Sequence, residues 1–193
     1  LKLSRGLGDV YKRQAYCADA TDPTPTITGL AGGAFSSTAG LSINAGTGVI
    51  DVSASTPGAY VVTYTTTGAC PNSSTVNVTI NALDDATFSY GAAAYCADAT
   101  DPTPTITGLA GGAFSSSAGL SINAGTGVID VSASTPGAYV VTYTTTGACP
   151  NSSTVNVTIN ALDDASFSYA SSSYCISGTD PTPTVCLLYT SPS

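Results

Sequence analysis

Residues 60–81 read YVVTYTTTGACPNSSTVNVTIN. Two runs in this stretch alternate apolar and polar side chains. In Thr75-Val76-Asn77-Val78-Thr79-Ile80-Asn81, Val76, Val78 and Ile80 point one way, and Asn77, Thr79 and Asn81 the other. A period of two marks a half-buried antiparallel strand. Tyr60-Val61-Val62-Thr63-Tyr64 likewise sets Tyr60, Val62 and Tyr64 on one face. Upstream, Leu41 and Ile43 alternate with Ser42 and Asn44, and Asn44-Ala45-Gly46-Thr47-Gly48 is a turn signal ahead of Val49-Ile50-Asp51-Val52. Thr56-Pro57-Gly58 reads as a second turn, with proline presetting φ and the glycine expected at positive φ. Pro23 and Pro25 lack an N–H, so 21–26 reads as a loop or a sheet edge. No stretch has helical periodicity. About seven short strands per 79 residues, with turn signals between them, predict an all-β chain of tandem immunoglobulin-like antiparallel β-sandwiches.

The 79-residue period is explicit. Tyr16-Cys17 recurs as Tyr95-Cys96 and Tyr174-Cys175, and residues 15–86 match 94–165 at every position except Thr38 against Ser117. A unit of that length is too long for a solenoid repeat and suits a small domain. The Asp84-Asp85 pair between two strand-like runs reads as a linker. That phase gives a complete copy over 86–162, a copy over 15–83 lacking its first strand, and the start of a third over 165–185.

Composition removes several function classes. The 193 residues carry a net charge of −8 and contain no His, Met or Trp. All 12 acids are Asp, and the four cations are Lys2, Arg5, Lys12 and Arg13. From 15 to 185 there is no Lys or Arg. Such a surface cannot neutralise phosphates, so nucleic-acid partners and anionic membrane surfaces are excluded. The apolar runs are too short to span a bilayer as a helix, so no membrane insertion is expected. Without His, Glu or Lys, Ser and Thr have no activating base, and no enzyme is expected. The adjacent Asp pairs fall in linkers rather than in a dyad suited to glycoside hydrolysis.

The two ends differ from the rest. Residues 4–14, SRGLGDVYKRQ, and 186–193, CLLYTSPS, resemble translations of one transposase-end sequencing adaptor read on opposite strands. The resemblance implies that 1–14 and 186–193 are adaptor-derived and that 15–185 is an internal, metagenomic fragment. In the 79-residue register Asp9 stands at the place of Phe88 and Tyr11 at that of Tyr90, so the N-terminal string is expected to serve as a false first strand.

Of the six cysteines, Cys186 falls in the second string. The others are two per copy plus Cys175. Pairing within each copy, Cys17 with Cys70 and Cys96 with Cys149, is the expected disulfide set; a Cys70–Cys96 bond across the linker is the alternative. No CxxC suggests zinc. Disulfides would place the chain outside the cytoplasm. Calcium is the one cofactor weighed, at the junction and loop acids Asp84, Asp85, Asp98, Asp101, Asp163 and Asp164. Tyr60, Tyr64 and Tyr90 are candidates for a sugar-stacking platform, against their simpler reading as core.

The string YCADATDPTPTITG, followed by GGAFSS and GLSINAGTGVIDVSASTPGAYVVTYT, resembles a repeat of large secreted, adhesin-like surface proteins of Bacteroidota. The resemblance covers 15–185. It implies an extracellular stalk or adhesive array in which neighbouring repeats are partners and a terminal module is spaced or displayed. Two alternatives stand beside it. Each module is itself a unit binding carbohydrate or a surface through avidity, or the repeats are spacers in a secreted multidomain enzyme.

Overall fold

A computed structural model describes residues 13–185, and every regular element among them is a β-strand. The first copy contributes β1 (Arg13–Cys17), β2 (Ala34–Ser37), β3 (Ser42–Ile43), β4 (Ile50–Asp51), β5 (Gly58–Thr65) and β6 (Ser73–Asn81). The second contributes β7 (Phe88–Ser89), β8 (Ala94–Cys96), β9 (Thr105–Ile106), β10 (Ala113–Ser116), β11 (Ser121–Ile122), β12 (Ile129–Asp130), β13 (Gly137–Thr144) and β14 (Ser152–Asn160). A last hairpin pairs β15 (Phe167–Ser168) with β16 (Thr184–Val185).

The second copy is an immunoglobulin-like sandwich. One layer is a four-stranded sheet in the order β10-β13-β14-β8; against it lie the antiparallel pair β7-β9 and the hairpin β11-β12. All pairs are antiparallel except one, since β8 runs parallel to β14 with Cys96 opposite Asn160. The first copy repeats this sheet as β2-β5-β6-β1, again with a parallel edge strand. The parallel edge departs from a purely antiparallel expectation. In the second copy β8 follows the turn Gly91-Ala92-Ala93 from β7 and meets the sheet on the side that the β13–β14 hairpin leaves free.

The long hairpin forms as its alternation predicts. Tyr139, Val141 and Tyr143 are buried on one face of β13, and Val157 and Ile159 on the same side of β14. They join Phe88, Tyr90, Phe114, Leu120, Ile129 and Val131 in one core. Burying each of these side chains contributes about 1.5–3 kcal/mol. Tyr139 also donates its hydroxyl to the carbonyl of Thr135 at 2.5 Å, the tyrosine corner of immunoglobulin-type domains. Its partner in the first copy, Tyr60, bonds Thr56 the same way.

One turn differs from expectation. Gly58 does not take positive φ; it opens β5 and pairs with Ile80. In the first copy the left-handed positions are Gly32, Gly40 and Gly48, with φ of 83°, 102° and 73°. At Gly48 a side chain would also meet the Phe35 ring, so this turn requires glycine twice over.

The two copies share sequence but not depth of burial. Val141 and Tyr143 are fully buried, whereas Val62 and Tyr64 are partly exposed. In the second copy the Phe88 ring helps to cover them: it packs edge-on to Phe114 at 5.5 Å and lies 5.8 Å from Tyr143. The matching positions 9–11 lie outside the described residues, as do 1–8, 12 and 186–193. The adaptor-like ends and the false first strand therefore fall outside what the structure describes, with two exceptions. Arg13 and Gln14 extend β1 and pair with Asn77 and Val78, because a backbone ladder does not depend on side-chain identity.

Candidate functional site: the joint between the two copies

The chemistry expected within each copy lies instead between them. β1 brings Cys17 opposite Asn81, at the last residue of β6, and the Ala18 N–H donates to the Asn81 carbonyl at 3.0 Å. Three residues later the chain reaches the second copy. The Asp84 N–H donates to the Cys149 carbonyl at 2.8 Å, and the Asn151 side-chain amide donates to the Asp84 carbonyl at 3.1 Å. The Thr145 hydroxyl bonds the Asp84 carboxylate at 3.0 Å, and Ser153 donates to the Ala86 carbonyl at 2.5 Å. The loop joining β13 to β14 thus grips the linker by its backbone. Gly147 sits so close that a Cβ there would lie 2.4 Å from the Asp84 carboxylate.

A disulfide closes this contact. Cys17 bonds Cys149 across 132 residues, with Cα atoms 5.5 Å apart. The expected pairs Cys17–Cys70 and Cys96–Cys149 are therefore corrected, and so is the alternative Cys70–Cys96: Cys70, Cys96 and Cys175 are free and exposed. The reason is strand geometry. Cys96 is opposite Asn160 at one end of β14, and Cys149 precedes Ser152 at the other. Eight residues of strand separate those levels by roughly 27 Å, while a disulfide needs Cα atoms within about 7 Å. The same holds for Cys17 and Cys70 along β6. Sequence spacing showed two cysteines per copy but not that they sit at opposite poles; the register of β8 on β14 decides that.

The contact changes the environment of an identical loop. Cys149 and Thr145 are each 1% exposed, but Cys70 is exposed and Thr66 only partly buried. Thr145 is covered without losing a partner, since it also receives the Asn151 N–H at 2.8 Å.

Four of the six calcium candidates accept hydrogen bonds in their loops. Asp85 accepts bonds from the hydroxyl and N–H of Thr87, which hold its carboxyl below the ordinary range. Hydrogen bonds from Ser166 do the same for Asp164. Asp101 accepts the Val131 N–H at 3.0 Å, and Asp98 and Asp163 are exposed. Asp84 is held by Thr145. Among the described residues no three His, Cys, Asp or Glu side chains gather where they could hold a metal ion.

The tyrosine platform is not assembled at the surface. Tyr60 and Tyr90 are buried, and Tyr90 donates to the Gly127 carbonyl at 2.5 Å. Tyr64 borders a cleft of about 290 Å³ in the first copy, with Pro25, Phe35, Gly48 and Val76. In the second copy Phe88 packs on Phe114 and Tyr143, the counterparts of Phe35 and Tyr64, and Tyr90 bonds the carbonyl of Gly127, the counterpart of Gly48. Among the described residues no helix is long and apolar enough to cross a membrane.

The sequence matches no family model and none of the curated proteins. Solved structures similar to it include three cadherin ectodomain fragments. Mouse cadherin-23 EC22-24 is 15% identical, with 81% of this chain and 65% of that one covered and a TM-score of 0.35. Drosophila N-cadherin EC1-4 is 11% identical, with 79% and 48% covered and a TM-score of 0.37. The human desmocollin-1 ectodomain is 12% identical, with 81% and 42% covered and a TM-score of 0.36. The chain spans less than two thirds of the length of each.

Proposed function

We propose that this chain is part of an extracellular stalk, a row of immunoglobulin-like domains whose task is to hold a terminal module at a set distance. The observation that carries the reading is the joint: one covalent bond ties the base of one copy to the top loop of the next, and three hydrogen bonds hold the linker residue Asp84 on that loop. A flexible linker would need none of them. In this reading the domain units are 15–83, 86–162 and the start of a third at 165–185. The disulfide supports an oxidising, extracellular setting, and the resemblance to Bacteroidota surface repeats supports a bacterial cell surface. We propose no catalytic role, because the repeats contain neither His, Lys nor Glu to activate a nucleophile.

Solution scattering tests this. A compact globule of 193 residues has a radius of gyration of about 16 Å. A stalk gives a clearly larger value and a rod-like distance distribution in oxidised buffer. A value near that of the globule refutes the reading.

A further inference from the structure

We propose that the bond between Cys17 and Cys149 is one rung of a ladder, in which the Tyr-Cys cysteine of every copy is bonded to the loop cysteine of the copy after it. The inference rests on the stalk reading, since it needs further copies in the row. Three observations carry it. The first is the fate of the five cysteines. The pattern allows a single bond within this chain, Cys17–Cys149, and that is the bond present. Cys96 would need a loop cysteine in a completed third copy, Cys175 one in a fourth, and Cys70 a Tyr-Cys cysteine in a preceding copy. All three are free and exposed.

The second observation is that the two halves of the joint are present again at the outer poles. At the top of the first copy, Thr66 bonds Asn72 as Thr145 bonds Asn151, so the loop is already shaped to grip a linker. At the base of the second copy the Ala97 N–H donates to the Asn160 carbonyl at 3.0 Å, as Ala18 does to Asn81, which sets Cys96 where Cys17 sits. Asp163-Asp164 follows there as Asp84-Asp85 follows the first copy. The third is burial: covering the loop turns an exposed Cys70 environment into the 1%-exposed one of Cys149 without orphaning a polar side chain.

Formation of each rung is ordinary thiol–disulfide exchange with an organic disulfide such as oxidised glutathione. One cysteine thiolate attacks the glutathione disulfide and releases one glutathione thiolate. The partner thiolate then attacks the mixed disulfide and releases the second, so two electrons pass to glutathione.

The test lengthens the full chain by one more copy of its own 79-residue unit, inserted after Asp164, and oxidises it in a glutathione buffer. The copies share their sequence around each cysteine, so exposed positions are marked by mass: Asp19→Glu and Ser73→Thr in the first copy, and Asp→Asn and Ser→Ala at the places of Asp98 and Ser152 in the inserted copy. Free thiols are blocked with an alkylating agent and the bonds are mapped after pepsin digestion, since trypsin has no site between 15 and 185. The expected map holds two rungs, Cys17 with Cys149 and Cys96 with the loop cysteine of the inserted copy, while Cys70 is alkylated. Cys96 recovered alkylated or bonded to Cys149 overturns the ladder. Replacing Cys70 with Ser leaves both rungs; loss of either in that variant also overturns it. Scattering from the same sample separates the two proposals. Two rungs in a compact particle refute the stalk and keep the ladder, and a lengthened particle without the second rung does the reverse.

Discussion

Replacing Cys17 with Ser removes the covalent part of the joint and leaves the fold of each copy intact, because Cys17 lies outside both buried cores. The loop it closes is 132 residues long. In the chain-entropy model a crosslink of that span lowers the entropy of the unfolded chain enough to stabilise the folded state by about 5 kcal/mol. At 2–4 °C per kcal/mol for a chain of this size, the oxidised wild type should melt roughly 10–20 °C above the Cys17→Ser variant. The assay is calorimetry with and without a reductant. Two controls sharpen it. With reductant, wild type and variant should melt together. Without it, Cys96→Ser should match wild type, whereas bonding within each copy would make Cys96→Ser as damaging as Cys17→Ser. The reasoning is refuted if oxidised Cys17→Ser melts with wild type, or if Cys96→Ser falls as far.

Phe88→Ala should cost about 3–5 kcal/mol, because a ring that is 5% exposed leaves a cavity between Phe114, Tyr90 and Tyr143; a loss under 1 kcal/mol in denaturant unfolding would show that the first strand is dispensable. Burial, and then the nearby Tyr95 charge, push the Tyr90 hydroxyl up to about 12. Its folded pKa exceeds the unfolded value of about 10, so this contribution is intact below pH 10 and is lost as pH rises toward 12. Melts from pH 9 to 12 should show that decline, and Tyr90→Phe should flatten it; equal slopes would remove Tyr90 as the cause. Calcium and chelator should leave the melting temperature unchanged, since Asp84 and Asp85 already bond Thr145 and Thr87. A saturable rise with calcium would show that those acids rearrange into a site.

Much of the fold was legible because alternation is a local property. Tyr60, Val62 and Tyr64, and Val76, Val78 and Ile80, declare their face within a few residues, and the structure pairs the two strands in one long hairpin. The parallel edge strand was not legible. Ala94-Tyr95-Cys96 is too short to show a period, and its direction is set by which sheet edge the preceding turn can reach. The joint was half legible. The Asp pair read as a linker, and the structure shows Asp84 and Asp85 receiving N–H and hydroxyl groups there, contacts that the sequence does not announce. The cysteine spacing of 53 suggested a bond within each copy, because sequence distance carries no information on which pole of a sandwich a residue occupies. The signal that would have found the pairing is the strand register itself: once β8 is placed beside β14, Cys96 and Cys149 cannot meet.

The Cys17–Cys149 bond also changes what happens when the chain is pulled. Tension applied at the two ends enters at Cys17, crosses the sulfur bridge and leaves at Cys149, bypassing everything between. Those 132 residues, when drawn straight, hold roughly 450 Å of slack. A row of unbridged sandwiches would release such slack one domain at a time and yield like a spring. With the bridge closed that length is locked away, and only the chain beyond Cys149, β14 included, is left to yield. Reducing a single bond would return the locked length to the pull.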